Sequence, residues 1–496
     1  MTDKVTIRRL VTGVPGLDRL LGGGLPEFSF NLIAGAPGSG KTTLAHQIMF
    51  NMAQPERQAL YFTVLGEPPL KMLRYQQQFP FFEFDKINRS IHFINLADEV
   101  LHGDFNQLLA RILREVESHS PGLVFVDSFR SIMLTAEGRP EGDAVLQHFV
   151  QHLGMHLTSC QATTFLVGEY QISESEINPV FTVADGLVWL TQNVHDDSMI
   201  RKVEIKKMRG QATLPGLHTF RISDAGIQIF PRAIVGAGIA PRLAAGKPAE
   251  VADRMSIGVP RLDEMLGGGL PRGYSLLVAG PAGSGKTVLS TQFLVEGVRR
   301  GEPGIIAAFE KNPSQSLNPQ LDRLVNAGQV GVIDTRSLDL SIDETLYDLT
   351  RMIEGMQAKR VVIDSLSGYE LALAPAFRAH FRESLYRMVA VLTGMGMTVL
   401  MTSELEDRYT DLRFSPYGAA FLTDAIIVQR YVEVESRLKR ITAVVKVRGS
   451  AHSDELRLFE ITDDGIVIGE PLHDYEGLLS GQPTGRATTS PPLPPG

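Results

Sequence analysis

A single cysteine, Cys160, stands in a chain of 496 residues, which excludes an intrachain disulfide framework and fits a reducing compartment. A basic surplus is also lacking: 48 lysines and arginines face 56 acids, for a net charge of −8 and a pI near 5.9. That balance argues against a broad phosphate-backbone interface and against nucleic acid as the main partner. The N-terminal run MTDKVTIRRL has no apolar core of a secretion signal. The charge-free stretch from Met388 to Ser403 is too short for a bilayer and carries Gly394 and Gly396, so it reads as a helix end, a turn and a strand. These absences lead to the expectation of a cytoplasmic chain with no membrane segment. What is present is a globular composition, 43% hydrophobic and 21% charged.

The chain is organised around Gly35-Ala36-Pro37-Gly38-Ser39-Gly40-Lys41-Thr42, which follows the apolar run Leu32-Ile33-Ala34 and precedes a helix-like stretch. Strand, glycine-rich loop and helix in this order make a phosphate loop, whose backbone N–H groups turn inward toward an anion at the helix N-terminus. Lys41 is placed to reach β- and γ-phosphates, and the Thr42 hydroxyl to hold Mg²⁺. Gly35, Gly38, Ser39, Gly40, Lys41, Thr42 and Thr43 are the expected nucleotide contacts.

The loop occurs twice. Gly280, Gly283, Ser284, Gly285, Lys286, Thr287 and Val288 repeat the set, and the 31 residues from Gly13 to Thr43 share 19 identities with those from Gly258 to Val288 at a constant offset of 245. The match begins well upstream of the loop, so the domain is duplicated. The expected organisation is a first domain over 1–232, an Ala/Gly/Pro-rich linker over 233–251, a second domain over 252–470 and a tail over 471–496, unstructured from Ser480.

Each half alternates apolar strands with amphipathic helices, as in Phe105 to Glu117 with Leu108, Leu109, Ile112 and Leu113 on one face. This predicts an α/β fold with a mainly parallel sheet flanked by helices. The strand Leu123 to Asp127 and its counterpart Val361 to Asp364 each end in an acid, and Asp127 and Asp364 are the expected metal-side carboxylates. Glu67 and Glu310 follow the strands Ala59–Val64 and Gly304–Phe309, where an acid can orient or deprotonate an attacking water. Late strands carry Lys207-x-Arg209-Gly210 and Lys446-x-Arg448-Gly449; since each loop has its own lysine, these pairs are read as reaching the nucleotide of a neighbouring subunit. His148, His152, His156 and Cys160 recur every four residues, but the row drifts around a helix and has no accompanying acid, so it reads as a packed or subunit-facing surface.

Tandem phosphate loops, GVP-x-LD and GGGLP lead-ins, strands ending in aspartate-serine and paired Lys-x-Arg-Gly segments together resemble the KaiC family, the ATPase core of the cyanobacterial circadian clock within the RecA-like superfamily. The likeness runs from about Val11 to Glu470. It implies two tandem RecA-like P-loop NTPase domains, ATP and Mg²⁺ as cofactors, and a two-tiered hexamer with ATP at subunit interfaces. It also implies slow hydrolysis in the first tier, Ser/Thr autokinase and autophosphatase activity in the second, and clock-type signalling partners. Lys207 with Arg209, and Lys446 with Arg448, match residues this family sends across the subunit boundary.

Two departures redirect the expectation. Where the family has two adjacent catalytic glutamates, this chain has Gly66-Glu67 and Glu310-Lys311, and the Lys311 charge lowers the basicity of Glu310. Ala420-Phe421 occupies the place of the phosphorylated Ser-Thr pair, leaving Ser415, Tyr417 and Thr423 as the nearest hydroxyls. An ATP-hydrolysing, nucleotide-signalling hexamer is therefore the leading expectation, with an autokinase using a shifted acceptor, a RecA-like nucleic-acid motor and a non-hydrolysing scaffold as alternatives.

Overall fold

The computed structural model describes residues 7–64, 69–102, 104–134, 142–171, 178–196, 198–233, 254–309, 319–334, 339–405, 422–434, 436–472, 475–476 and 484–485. Two compact units divide the chain, Met1–Arg232 and Ala233–Gly496.

In the first unit the principal elements are β1 (Phe30–Gly35), α1 (Lys41–Met52), β2 (Ala59–Thr63), β3 (Ile91–Asn95), α2 (Phe105–His119), β4 (Leu123–Asp127), α3 (Gly142–Ser159), β5 (Thr163–Glu169), β6 (Gly186–His195), β7 (Ser198–Met208), β8 (His218–Ser223) and β9 (Gly226–Phe230). They form one nine-stranded sheet in the order β9-β8-β7-β6-β1-β5-β4-β2-β3. The six strands from β6 to β3 run parallel, and β7, β8 and β9 continue as an antiparallel meander. Strands buried on both faces must be apolar throughout, and β1 and β2 are wholly buried. On one face Leu32, Phe62, Val124 and Val126 pack with Leu108 and Ile112 of α2 and Leu153 of α3; on the other, Ile33, Tyr61 and Phe125 pack with Leu44 and Ile48 of α1. Helix α2 starts where the Asp104 carboxylate accepts the backbone N–H groups of Asn106 and Gln107. Its buried row is Phe105, Leu108, Ile112 and Val116, while Leu109 and Leu113 are only half-buried. The sheet takes a narrower stripe than the expected face because 3.6-residue periodicity carries those two leucines off its centre.

The second unit repeats the plan with β10 (Ser275–Gly280), α4 (Lys286–Arg299), β11 (Gly304–Ala308), β12 (Val330–Asp334), α5 (Ile342–Met356), β13 (Arg360–Asp364), α6 (Phe381–Gly394), β14 (Thr398–Glu404), β15 (Ala425–Val434), β16 (Arg437–Val447), β17 (Arg457–Thr462) and β18 (Gly465–Pro471). Its order is β12-β11-β13-β14-β10-β15-β16-β17-β18, again parallel as far as β15. Helix α5 opens on a capping box between Ser341 and Glu344. The stretch from Met388 to Ser403 is the end of α6, a turn at Gly396 and most of β14. In the tail read as unstructured from Ser480, Thr484–Gly485 pairs antiparallel with Tyr475–Glu476, a two-residue ladder. Among the described residues, no helix is long and apolar enough to cross a membrane.

Candidate nucleotide-binding sites

Parallel strands gather their carboxyl ends on one edge of each sheet, and that edge carries the chemistry. Gly35 closes β1, the turn runs through Gly38 and Ser39, and Gly40 opens α1, whose first turn holds Lys41, Thr42 and Thr43. Gly40 has φ +99°, and a Cβ there would meet Ile222 Cδ1 at 2.7 Å; Gly285 has φ +105°, and its Cβ would meet Ile461 Cδ1 at 2.9 Å. Only glycine fits both backbone and space at these positions. No side chain caps either helix N-terminus, which leaves the first N–H groups open to an anion.

The Lys41 ammonium donates to the Ala36 carbonyl at 2.8 Å, and that of Lys286 to the Gly280 and Pro281 carbonyls, both at 2.8 Å. Each lysine thus folds over its own loop. Burial pushes the Lys41 pKa down, against the nearby Glu169 and Asp127 charges that favour the ammonium. Asp127 ends β4, and its Oδ2 accepts from Thr42 Oγ1 at 2.8 Å and from the Tyr61 hydroxyl at 2.7 Å. Burial pushes the Asp127 carboxyl up, while Tyr61, Thr42 and Lys41 act against that shift. In the second unit a cavity of about 280 Å³ is lined by residues including Gly283, Lys286, Thr287, Val288, Asp364 and Glu404. Hydroxyl and carboxylate oxygens converging beside a loop of open N–H groups suit a triphosphate with its Mg²⁺.

The phosphate-loop residues and both aspartates are therefore brought together. Lys207, Arg209, Lys446 and Arg448 are not part of that assembly. Lys207 on β7 is opposite Leu187, which pairs with Leu32 of β1, and the loop begins about 10 Å further along that strand at Gly35. There Lys207 donates to the Phe181 and Thr182 carbonyls at 3.2 and 3.0 Å, and Arg209 pairs with Asp185 at 3.1 Å. Lys446 donates to the Thr423 carbonyl at 2.7 Å, and Arg448 lies 3.7 Å from Asp424. Burial, then the adjacent arginine, lowers the pKa of each lysine. Gly66, Glu67, Glu310, Lys311, Ser415, Tyr417, Ala420 and Phe421 lie outside the described residues. On α3 the His148 and His152 rings stack 4.0 Å apart, and His156 and Cys160 are exposed.

Sequence reading missed two acids. Glu169 closes β5 opposite Gly35, with Oε1 3.9 Å from Lys41 Nζ, and Glu404 closes β14 opposite Gly280 and lines the second cavity. The signal was available: the strand after each metal-side aspartate ends in glutamate in both halves.

Comparison with known proteins adds to this geometry. A family model described as ATPase: KaiC matches residues 10–234 and again 255–473. The chain is 26% identical over 492 residues to the circadian clock oscillator protein KaiC of Picosynechococcus sp., covering 96% of this chain and 93% of that protein. It is 28% identical to the circadian clock protein KaiC3 of Synechocystis sp., covering 97% and 96% of the two chains. It is 27% identical to the circadian clock oscillator protein KaiC of Thermostichus vulcanus, over 96% and 92%. Two matched repeats, each with a complete phosphate loop facing an aspartate, mean that the chain belongs to the KaiC family of ATPases.

Proposed function

We propose that this KaiC-family chain binds and hydrolyses ATP at both loops, assembles as a hexamer, and converts nucleotide state into a conformational signal for a protein partner. The observation that carries the reading is the twofold occurrence of a phosphate loop with its lysine beside a half-buried strand-end aspartate. Loop N–H groups and Lys41 or Lys286 bind the β- and γ-phosphates; Thr42 with Asp127, and Thr287 with Asp364, hold Mg²⁺. That ion, when bound, neutralises charge on the transferring phosphoryl group. Glu67 and Glu310 orient the attacking water in this scheme. Lys207 with Arg209, and Lys446 with Arg448, supply cations to the next subunit's pocket, a role supported by their position far from their own loop.

Autokinase activity is the lesser reading, because Thr423 is fully buried and the other hydroxyls lie outside the described residues. The acidic balance likewise disfavours a nucleic-acid motor. Phosphate release from ATP tests the proposal: Lys41→Ala and Lys286→Ala should each abolish their site's share, and the double variant should release none above background. A double variant matching the wild type would remove the reading.

A further inference from the structure

The duplicated sites hold their metal-side aspartates by different means. In the first unit the donor comes from β2: Tyr61 is fully buried, and its hydroxyl lies 2.7 Å from Asp127 Oδ2. Its ring is fixed by Phe125, stacked at 5.9 Å, by the edge of His46 at 4.7 Å, and by Phe93 at 5.4 Å. Thr63 is opposite Asp127 in the first sheet and Ala308 opposite Asp364 in the second, so Ile306 stands at the place of Tyr61 and has nothing to donate. There the donor comes from the opposite flank. Thr402 on β14, also fully buried, donates to Asp364 Oδ1 at 2.5 Å, and its counterpart beside Asp127 is Val167.

Two unrelated hydroxyls, reaching from opposite neighbouring strands, thus do the same job. When Thr42 Oγ1 is given over to a cation, the Tyr61 hydroxyl remains to fix the carboxylate; Thr402 does so for Asp364. We propose that Tyr61 and Thr402 are positioning residues that orient the Mg²⁺-side carboxylates, each for its own site only, so that the two sites can be tuned to different Mg²⁺ concentrations. This rests on the nucleotide-site reading above. Partners behind a metal ligand typically contribute 10-fold to 100-fold in metal affinity.

The test isolates one site at a time in the full chain. With Lys286→Ala present, binding of fluorescent ADP is measured first in EDTA and then across a Mg²⁺ titration. Tyr61→Phe, which keeps the buried ring, should leave binding in EDTA unchanged and raise the half-saturating Mg²⁺ by about 10-fold or more. With Lys41→Ala present, Thr402→Val should raise the second site's Mg²⁺ midpoint, Thr402→Ser should restore it, and Tyr61→Phe should leave it alone. Unmoved midpoints for both Tyr61→Phe and Thr402→Val overturn the proposal while leaving nucleotide binding standing. Absence of ADP binding by both parent proteins overturns the nucleotide-site reading itself, and this proposal with it.

Discussion

His46 sets an acid limit on the first unit at the scale of a single residue. It lies on α1 four residues after Thr42, fully buried against Tyr61 and Phe93, and burial drives its pKa down to about 4, with Gln76 favouring the charged form. Above pH 6.5 the ring is neutral in both folded and unfolded chains and makes no pH-dependent contribution. Below that pH the unfolded ring takes a proton that the folded one refuses until about pH 4, so stability falls as pH falls. The shift amounts to about 3 kcal/mol across that window. Trp189, the chain's one tryptophan, is buried on β6 and reports on this unit alone. Urea unfolding followed by Trp189 emission should show the midpoint falling between pH 6.5 and 4.5, and His46→Met should flatten that fall. An equal fall in both proteins would show that other groups are responsible.

Among the elements, β13 differs from its counterpart β4 at its first residue. Arg360, at its start, is fully buried, donates to both Glu302 and the Ser256 and Phe293 carbonyls, and lies over the Phe293 ring at 4.6 Å. Gly297 of α4 makes room, since a Cβ there would meet Arg360 Cδ at 2.5 Å. Register places Leu123 at the equivalent point of β4. Arg272 also donates to Glu302, so Arg360→Leu leaves that carboxylate partnered but takes the donor from the Ser256 and Phe293 carbonyls, and it should destabilise the second unit by about 1–3 kcal/mol. Amide exchange in β11 and β13 is the measurement, and unchanged protection would refute it.

The same strands show what the sequence made legible. Doubly buried strands announce themselves as apolar runs, loops by glycine spacing, and the aspartates by standing at strand ends. Partnerships across the sheet do not: Tyr61 meets Asp127 over 66 residues, and Arg360 meets Glu302 over 58. Both read as ordinary strand residues because register, which brings them together, is set by the whole sheet. Glu169 and Glu404 were overlooked for the opposite reason, since the acids that follow the second strand of each half drew the reading away from equally regular acids that close the fifth.

On the scale of the whole molecule, each sheet has two chemically distinct ends. The phosphate loop closes one, and the Lys-x-Arg pair occupies the other. In the proposed hexamer every subunit contact is therefore head-to-tail, a heterologous interface that closes on itself. Copies carrying Lys41→Ala and copies carrying Lys207→Ala with Arg209→Ala, all in a Lys286→Ala background, should each release almost no phosphate alone. Co-assembled one to one, random neighbours should regain about a quarter of the first-site rate. A mixture as silent as its components would mean that the basic pair does not serve a neighbour.

In the proposed hexamer the opposed ends of the sheet would also govern inheritance of damage. A lesion in the basic pair would be complemented by a copy defective in the phosphate loop of the same domain, and in a mixed population it would silence intact copies that sit on one particular side of it. Two alleles, each null when alone, would then behave as a working pair.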